Sequence, residues 1–344
     1  MRAVQYSAFG GPDVLRYVEV ADPEPGAGDV VVRVAATALN RLDVVQRNGW
    51  YTLPGYALPH IPGMDVAGVV VAVGSAVTAV HEGDRVVIDP SLSEVADDSK
   101  LAELGDLYGE LGVIGGTVDG GYAEQCLAPA SHVHRVPDGM DLVAAAVFPT
   151  AWLTAWHGLI EVGHLQPSET VMVHAAGAGV SIAALQIAKW RGATVLATAG
   201  SDEKCERARA LGADATCNNR TDDVTGFART FTNGAGVDMV FDHVGTALFG
   251  PSLFAIKPRG RLVTCGNTSG DVATIPSLGY LFHSGISIIG SDPYRYGEFA
   301  DAWRVYGELS PPAIVDTEYP LSDAAEAHRR MEAGDFFGKL LLSV

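Results

Sequence analysis

A β-rich N-terminal region followed by an open, doubly wound α/β sheet is the fold class that this 344-residue sequence predicts. Three observations carry the prediction. Val-rich runs punctuated by Gly and Pro fill the chain up to about residue 130. Strands and helices alternate from about Glu169 onward. A glycine turn, Gly177-Ala178-Gly179, stands between an apolar strand and a helix.

In chain order, Asp29 to Ala38, Val66 to Val73 and Asp84 to Ile88 are apolar enough for buried strands. A helix is predicted from Arg41 to about Asn48, with Asn40 at the N-cap and Gly49 as its stop. Leu142 to Ile160 carries no formal charge and could span a bilayer by length alone. Pro149, Thr150, Thr154, His157 and Gly158 inside it favour a buried helix joining two domains. Strands follow at Thr170 to His174 and Thr194 to Ala199, with helices at Ile182 to Arg191 and Asp202 to Leu211. Ser201 caps the second of these helices. Val237 to Asp242, Arg261 to Cys265 and Ile286 to Ile289 complete the sheet, and helices around Glu298 to Leu309 and Ser322 to Ala333 end the chain. Between residues 92 and 112, acids alternate with Leu101, Leu104, Tyr108 and Leu111 at helical spacing. That segment reads as a solvated amphipathic helix, with a lid as the alternative.

Acidic residues number 41 against 23 basic ones, a net charge of −18 that argues against a nucleic-acid partner. Hydrophobic residues at 48% exclude wholesale disorder. Cys126, Cys205, Cys217 and Cys265 are scattered, which fits reduced thiols and neither a disulfide framework nor a metal knuckle. The start, Met1 to Tyr6, lacks the apolar run of a signal peptide, so a cytoplasmic, membrane-free protein is expected.

At the glycine turn, Gly177, Ala178, Gly179 and Val180 let the backbone approach a pyrophosphate at a helix N-terminus. The next strand ends Thr198-Ala199-Gly200-Ser201, without the carboxylate that usually binds the ribose of NAD. Ser201, Lys204 and Arg220 instead suit a 2′-phosphate, so NADPH is the expected coenzyme. Asp202 and Glu203 count against it, although first-turn acids also serve the helix dipole. His243, Val244 and Gly266 lie at strand ends that would line the nicotinamide half, and His243 reads equally as a packed strand-end residue.

The passages Ala38 to Asp43, Pro62 to Val70, Gly83 to Val86, Phe241 to Gly245 and Gly260 to Val263, with the glycine turn, resemble the medium-chain dehydrogenase/reductase superfamily. The resemblance covers the whole chain and is closest to the zinc-free quinone oxidoreductase branch. It implies a GroES-like catalytic domain from residues 1–130 and 296–344, a Rossmann NADP-binding domain from 131–295, and an active site in the cleft between them. Zinc-dependent members hold zinc with two Cys and a His beside an acid. Here Asn40, Met64 beside Asp65, and approximately Thr150 occupy those places, which leaves neither thiolate nor imidazole. No cysteine lies between Met1 and Gln125 for a structural site, so no metal is expected.

Without a metal, hydride transfer to a quinone or an activated C=C bond (an enone or enal) is the chemistry implied. Its oxyanion is delocalised and hydrogen-bond donors suffice to stabilise it. Asn40 and Tyr51 are the candidate catalytic donors, though Asn40 reads equally as a simple N-cap and Tyr51 as loop packing. Trp50, Tyr56 and Trp152 would wall the substrate pocket, and Asp43 would orient its neighbours. Two alternatives stand beside this reading: a trans-acting enoyl reductase on carrier-bound thioesters, and a non-catalytic NADPH-binding protein. A homodimer is expected through the apolar edge strand Gly285 to Gly290.

Overall fold

The computed structural model describes residues 1–53, 55–92, 112–292, 294–295 and 297–344. The expected amphipathic helix or lid within 92–112 lies almost wholly outside the described residues.

Two compact units form, one from Met1–Leu153 with the C-terminal tail and the other from Thr154–Asp292. In the first, β1 (Arg2–Gln5) and β2 (Arg16–Glu19) make a small antiparallel ribbon. Then come β3 (Asp29–Ala38), α1 (Arg41–Arg47), β4 (Asp65–Val73), β5 (Arg85–Ile88), β6 (Gln125–Pro129) and β7 (Val133–Arg135). Alternate residues of β3 and β4 point inward, so Val30, Val32, Val34, Val66 and Val70 form one apolar core with Val86 and Ile88.

The stretch from Leu142 is not one helix. Asp141 caps α2 (Leu142–Ala146) by accepting from the Val143 and Ala144 N–H groups. Pro149 cannot continue a helix but can begin one, so α3 (Pro149–Trp156) starts anew there. A π-helical turn, His157–Glu161, follows. Among the described residues no helix is long and apolar enough to cross a membrane.

The second unit alternates β8 (Thr170–Val173), α4 (Gly179–Trp190), β9 (Thr194–Ala199), α5 (Asp202–Ala210), β10 (Ala215–Asn218) and α6 (Val224–Phe231). It continues with β11 (Val237–Asp242), α7 (Thr246–Ala255), β12 (Ile256–Thr264), α8 (Leu278–Ser284) and β13 (Ser287–Gly290). All pairings are parallel and the order is β10-β9-β8-β11-β12-β13, which reverses between β8 and β11 as in a doubly wound sheet.

The tail returns to the first unit as α9 (Glu298–Leu309), β14 (Val315–Pro320), α10 (Ala324–Ala333) and β15 (Lys339–Ser343). There β14 and β15 extend the sheet to β14-β15-β3-β4-β5-β7. The first unit also keeps the chain beyond residue 130: β7 pairs with β5, Trp303 Nε1 donates to Arg135 O at 3.1 Å, and the Tyr306 hydroxyl donates to Ala144 O at 2.8 Å. The unit boundary therefore falls at Leu153, later than the expected one. Phe148 and Trp152 pack among Phe299, Trp303 and Tyr306, with centroids 4.8–5.9 Å apart.

Candidate active site

The ends of three adjacent strands build the polar centre of the first unit. β15 pairs antiparallel with β3 (Leu341 opposite Ala38), and β3 with β4 (Ala38 opposite Asp65). Extending that register two residues brings Asn40 opposite Lys339, beside Asp65 at the head of β4. The Lys339 ammonium, almost fully buried, donates to Asn40 Oδ1 at 2.7 Å and to Asp65 Oδ2 at 2.9 Å. Asp65 Oδ1 accepts from the Thr150 N–H at 2.8 Å and the Thr150 hydroxyl at 2.6 Å, which serves the N-terminus of α3.

Asn40 stands at the N-cap position of α1 as expected, but its side chain is turned to Lys339. The helix start is served in the other direction: Asp43 Oδ2 accepts from the Asn40 N–H at 2.8 Å. Asp43 also accepts from the Gly63 N–H and the Tyr122 hydroxyl, each at 3.3 Å. Burial pushes its carboxyl up to about 7 despite these donors.

A directed chain leads into Asp43. Arg47 has no lone pair, so its Nη1 donates to His328 Nδ1 at 3.0 Å and fixes the tautomer. His328 Nε2–H then donates to the Tyr122 oxygen at 3.2 Å, leaving the Tyr122 proton for Asp43. Burial, helped by the Arg47 charge, lowers His328 to about 3 and keeps it neutral. Fully buried Arg47 also pairs with Glu332 and donates to Gly10 O at 3.0 Å.

The expected pocket residues sit in different surroundings. Trp50 and Tyr51 lie on the loop after α1, 66% and 50% exposed. Tyr56 stacks on Phe9 (5.9 Å) and tilts onto His60 (5.0 Å), so it braces its own loop. Trp152 is 3% exposed inside the aromatic cluster. It is a core residue and forms no open wall.

In the second unit, β8 leads into the glycine turn and α4 begins at Gly179, with no side chain capping its first N–H groups. An anionic group is the natural partner of such an end. Ser181 Oγ donates to His174 O at 2.6 Å, so the 2.8 Å contact with His243 must be His243 Nε2–H donating to Ser181. Burial holds His243 neutral, lowered to about 4. Behind it, His174 bridges Thr198 Oγ1 (2.9 Å) and Ser252 Oγ (2.7 Å), lowered by burial to about 3. His243 thus ties β11 to the first turn of α4.

The expectation that backbone groups of His243 and Val244 are open to a ligand is corrected. His243 O accepts from Thr268 N and Oγ1, Val244 O from Ser269 N and Oγ, and the Val244 N–H donates to Asp242. Those groups hold the loop after β12, which brings Gly266 beside His243.

At the end of β9, the Arg220 guanidinium lies directly over Gly200, where a Cβ would sit 3.1 Å from its Nε. Ser201 caps α5 through the Lys204 N–H at 3.3 Å. Asp202 accepts from the Asn218 amide at 2.9 Å, so this opposing carboxylate is already engaged. The structure therefore brings Gly200, Ser201 and Arg220 together at one edge, with Lys204 in the first turn of α5, a set suited to a phosphate.

Among the described residues, the places that zinc ligands would take do not suit zinc. Asn40 and Asp65 accept from an ammonium, Thr150 donates to Asp65, and Met64 packs with Leu53 and Val113. Among the described residues no group of three His, Cys, Asp or Glu side chains could hold a metal. Lys339 is a functional candidate that the sequence alone does not single out. Its one signal is a lysine heading the apolar strand Leu340-Leu341-Leu342 after Gly338.

Comparison with known proteins agrees with this architecture. Residues 26–138 match the alcohol dehydrogenase GroES-like domain and residues 179–308 the zinc-binding dehydrogenase family. A quinone oxidoreductase of Pseudomonas aeruginosa is 34% identical over 99% of both chains. A phenolphthiocerol/phthiocerol polyketide synthase of Mycobacterium tuberculosis is 32% identical over 99% of this chain, which spans 15% of that protein. Among solved structures, an NAD-dependent alcohol dehydrogenase is similar at TM-score 0.91 and 38% identity, with both chains fully covered. Escherichia coli quinone oxidoreductase complexed with NADPH is similar at TM-score 0.84 and 27% identity, again over both whole chains. Strand order, glycine turn and these matches define an oxidoreductase with a GroES-like and a Rossmann part. The chain belongs to the medium-chain dehydrogenase/reductase superfamily, in its quinone oxidoreductase-like branch.

Proposed function

We propose that the protein reduces quinones or activated C=C bonds with NADPH, without a metal. The observation that carries this reading is the Lys339 ammonium held between Asn40 and Asp65. A protein cation and hydrogen-bond donors occupy the polar centre, and such groups match the modest demand of a delocalised enolate or phenolate. A simple alkoxide is far more basic and calls for a Lewis acid.

NADPH when bound supplies a hydride. Gly177 to Val180 and the first N–H groups of α4 would hold its pyrophosphate, while Ser201, Lys204 and Arg220 would hold its 2′-phosphate. The Ser181–His243 bond keeps that turn in place. Support for NADPH comes from the Gly200–Arg220 edge and the NADPH-bound E. coli relative; the NAD-dependent relative makes NADH the necessary control. Asn40 presents one amide proton to the acceptor oxygen, and Tyr51 a hydroxyl to that oxygen or the α-carbon.

The match to a polyketide synthase favours one second reading, reduction of carrier-bound enoyl thioesters. We also propose a homodimer, because among the described residues β13 pairs only with β12 and leaves its outer edge open. Solution mass tests it, and a stable monomer contradicts it.

The test is NADPH oxidation by chelator-treated protein offered a quinone, an enone and a simple ketone in parallel, with NADH alongside. Turnover on the quinone or enone, indifferent to chelator, is the expected result. Turnover on the ketone alone, or its loss with chelator, would overturn the reading. Silence on all three with turnover on an enoyl thioester would favour the second.

A further inference from the structure

We propose that Lys339 is a positioning residue: it fixes the Asn40 amide with its oxygen inward and its second N–H toward the acceptor. This rests on the hydride-transfer reading above. An ammonium has donors and no acceptor, so only the amide oxygen can face it. The 2.7 Å contact therefore settles which way this amide lies, a choice that is otherwise free to flip. One Nδ2 proton then goes to Ala38 O at 3.3 Å, and the second is left for a ligand.

The surroundings are built to hold this arrangement. Asp65 neutralises the ammonium and is itself anchored by two bonds from Thr150. The Lys339 N–H donates to Ile314 O at 2.9 Å, which fixes the entry to β15. Gly338 before it sits at φ +110, in the region that favours glycine, and a Cβ there would collide with Ile314 O. A buried charge costs several kcal/mol of desolvation even when paired. As a purely structural device an apolar residue would serve this strand end as well. The ammonium adds what an apolar residue cannot: it orients the amide and draws electron density toward Oδ1, which makes the remaining N–H a better donor to a developing oxyanion.

The test uses Asp65→Asn/Lys339→Met, which removes both charges together and leaves no unpaired buried ion. Its kcat on the acceptor should fall about 100-fold, the usual scale for an oxyanion donor, with KM for NADPH within about twofold. Lys339→Arg should keep most of kcat. Asn40→Ala should lose a similar factor, and adding it to the double variant should cost less than about threefold more, since both act through one amide. Retained kcat in the double variant, or losses that multiply in the triple variant, would overturn the proposal.

A second readout does not need turnover. With selective ¹⁵N labelling, solvent exchange of the Asn40 side-chain amide should accelerate at least about tenfold in the double variant. Unchanged exchange would refute the orienting role. If the unmodified enzyme is inactive on every acceptor, the proposed function fails while the amide signal still decides this inference.

Discussion

Acidification is expected to weaken the parallel-sheet unit more than the first unit. In the second unit, burial lowers His174 to about 3 and His243 to about 4, below the ordinary 6.5 of the unfolded chain. Between about pH 6 and pH 5 the unfolded chain takes up protons there that the folded one refuses, so stability rises with pH and falls on acidification. Two such imidazoles amount to about 2 kcal/mol over that unit of pH, at about 1.4 kcal/mol per proton. Asp242, raised by burial, protonates first in the folded state and takes back part of this, leaving about 1–2 kcal/mol.

The first unit has three lowered imidazoles among its described residues, His134 at about 4, His328 at about 3, and His60, which burial also lowers. Asp43 and Asp89, both raised by burial to about 7, bind protons in the folded state over the same range and offset two of them. Segment-resolved hydrogen exchange, corrected for intrinsic rates, should show protection of β8 and β11 falling about five- to thirtyfold from pH 6 to pH 5. Protection of β3 and β4 should change less. Equal loss in both units, or no loss in β8 and β11, would refute the reasoning.

Three further outcomes are expected. Lys204→Ala or Arg220→Ala should raise KM for NADPH about tenfold and leave KM for NADH nearly unchanged, the cost of one charge-assisted phosphate contact; equal effects on both coenzymes would remove the 2′-phosphate assignment. Tyr51→Phe should lower kcat on enones about 10- to 100-fold with little change in NADPH binding, and unchanged turnover would exclude Tyr51 from proton transfer. Phe148→Ala, fully buried and packed among Trp152, Phe299, Trp303 and Tyr306, should cost about 3–5 kcal/mol in urea unfolding; less than about 1 would mean the cluster collapses onto the space.

Local signals in the sequence locate the strands and the glycine turn well. Asp29–Ala38, Thr194–Ala199, Val237–Asp242 and Glu298–Leu309 stand where apolar periodicity and caps put them. Pro149 is plain in the sequence, yet the uncharged length of the stretch around it masks its power to end one helix and start another. Trp152 resembles a pocket wall in sequence, because an aromatic near a cleft motif suits one. It packs against Tyr306, far along the chain, within the cluster around Phe148. Lys339 is hidden for the same reason: its partner Asn40 is 299 positions away, and only the register of β15 on β3 joins them. The Asn40–Asp43 pair is legible because three-residue spacing at a helix start is local.

The strand carrying Lys339 is made after all the other strands described above. The chain lays down β3, β4 and α1, then the whole parallel sheet with its helices, and only then the residues that pair with the open side of β3. During synthesis the first unit must therefore wait, with that edge bare and the Asp65 carboxylate lacking its counter-ion, until the second has emerged. With Lys339 in its proposed role, a chain cut short before it would carry the glycine turn and coenzyme edge, yet lack the cation that arranges its acceptor side.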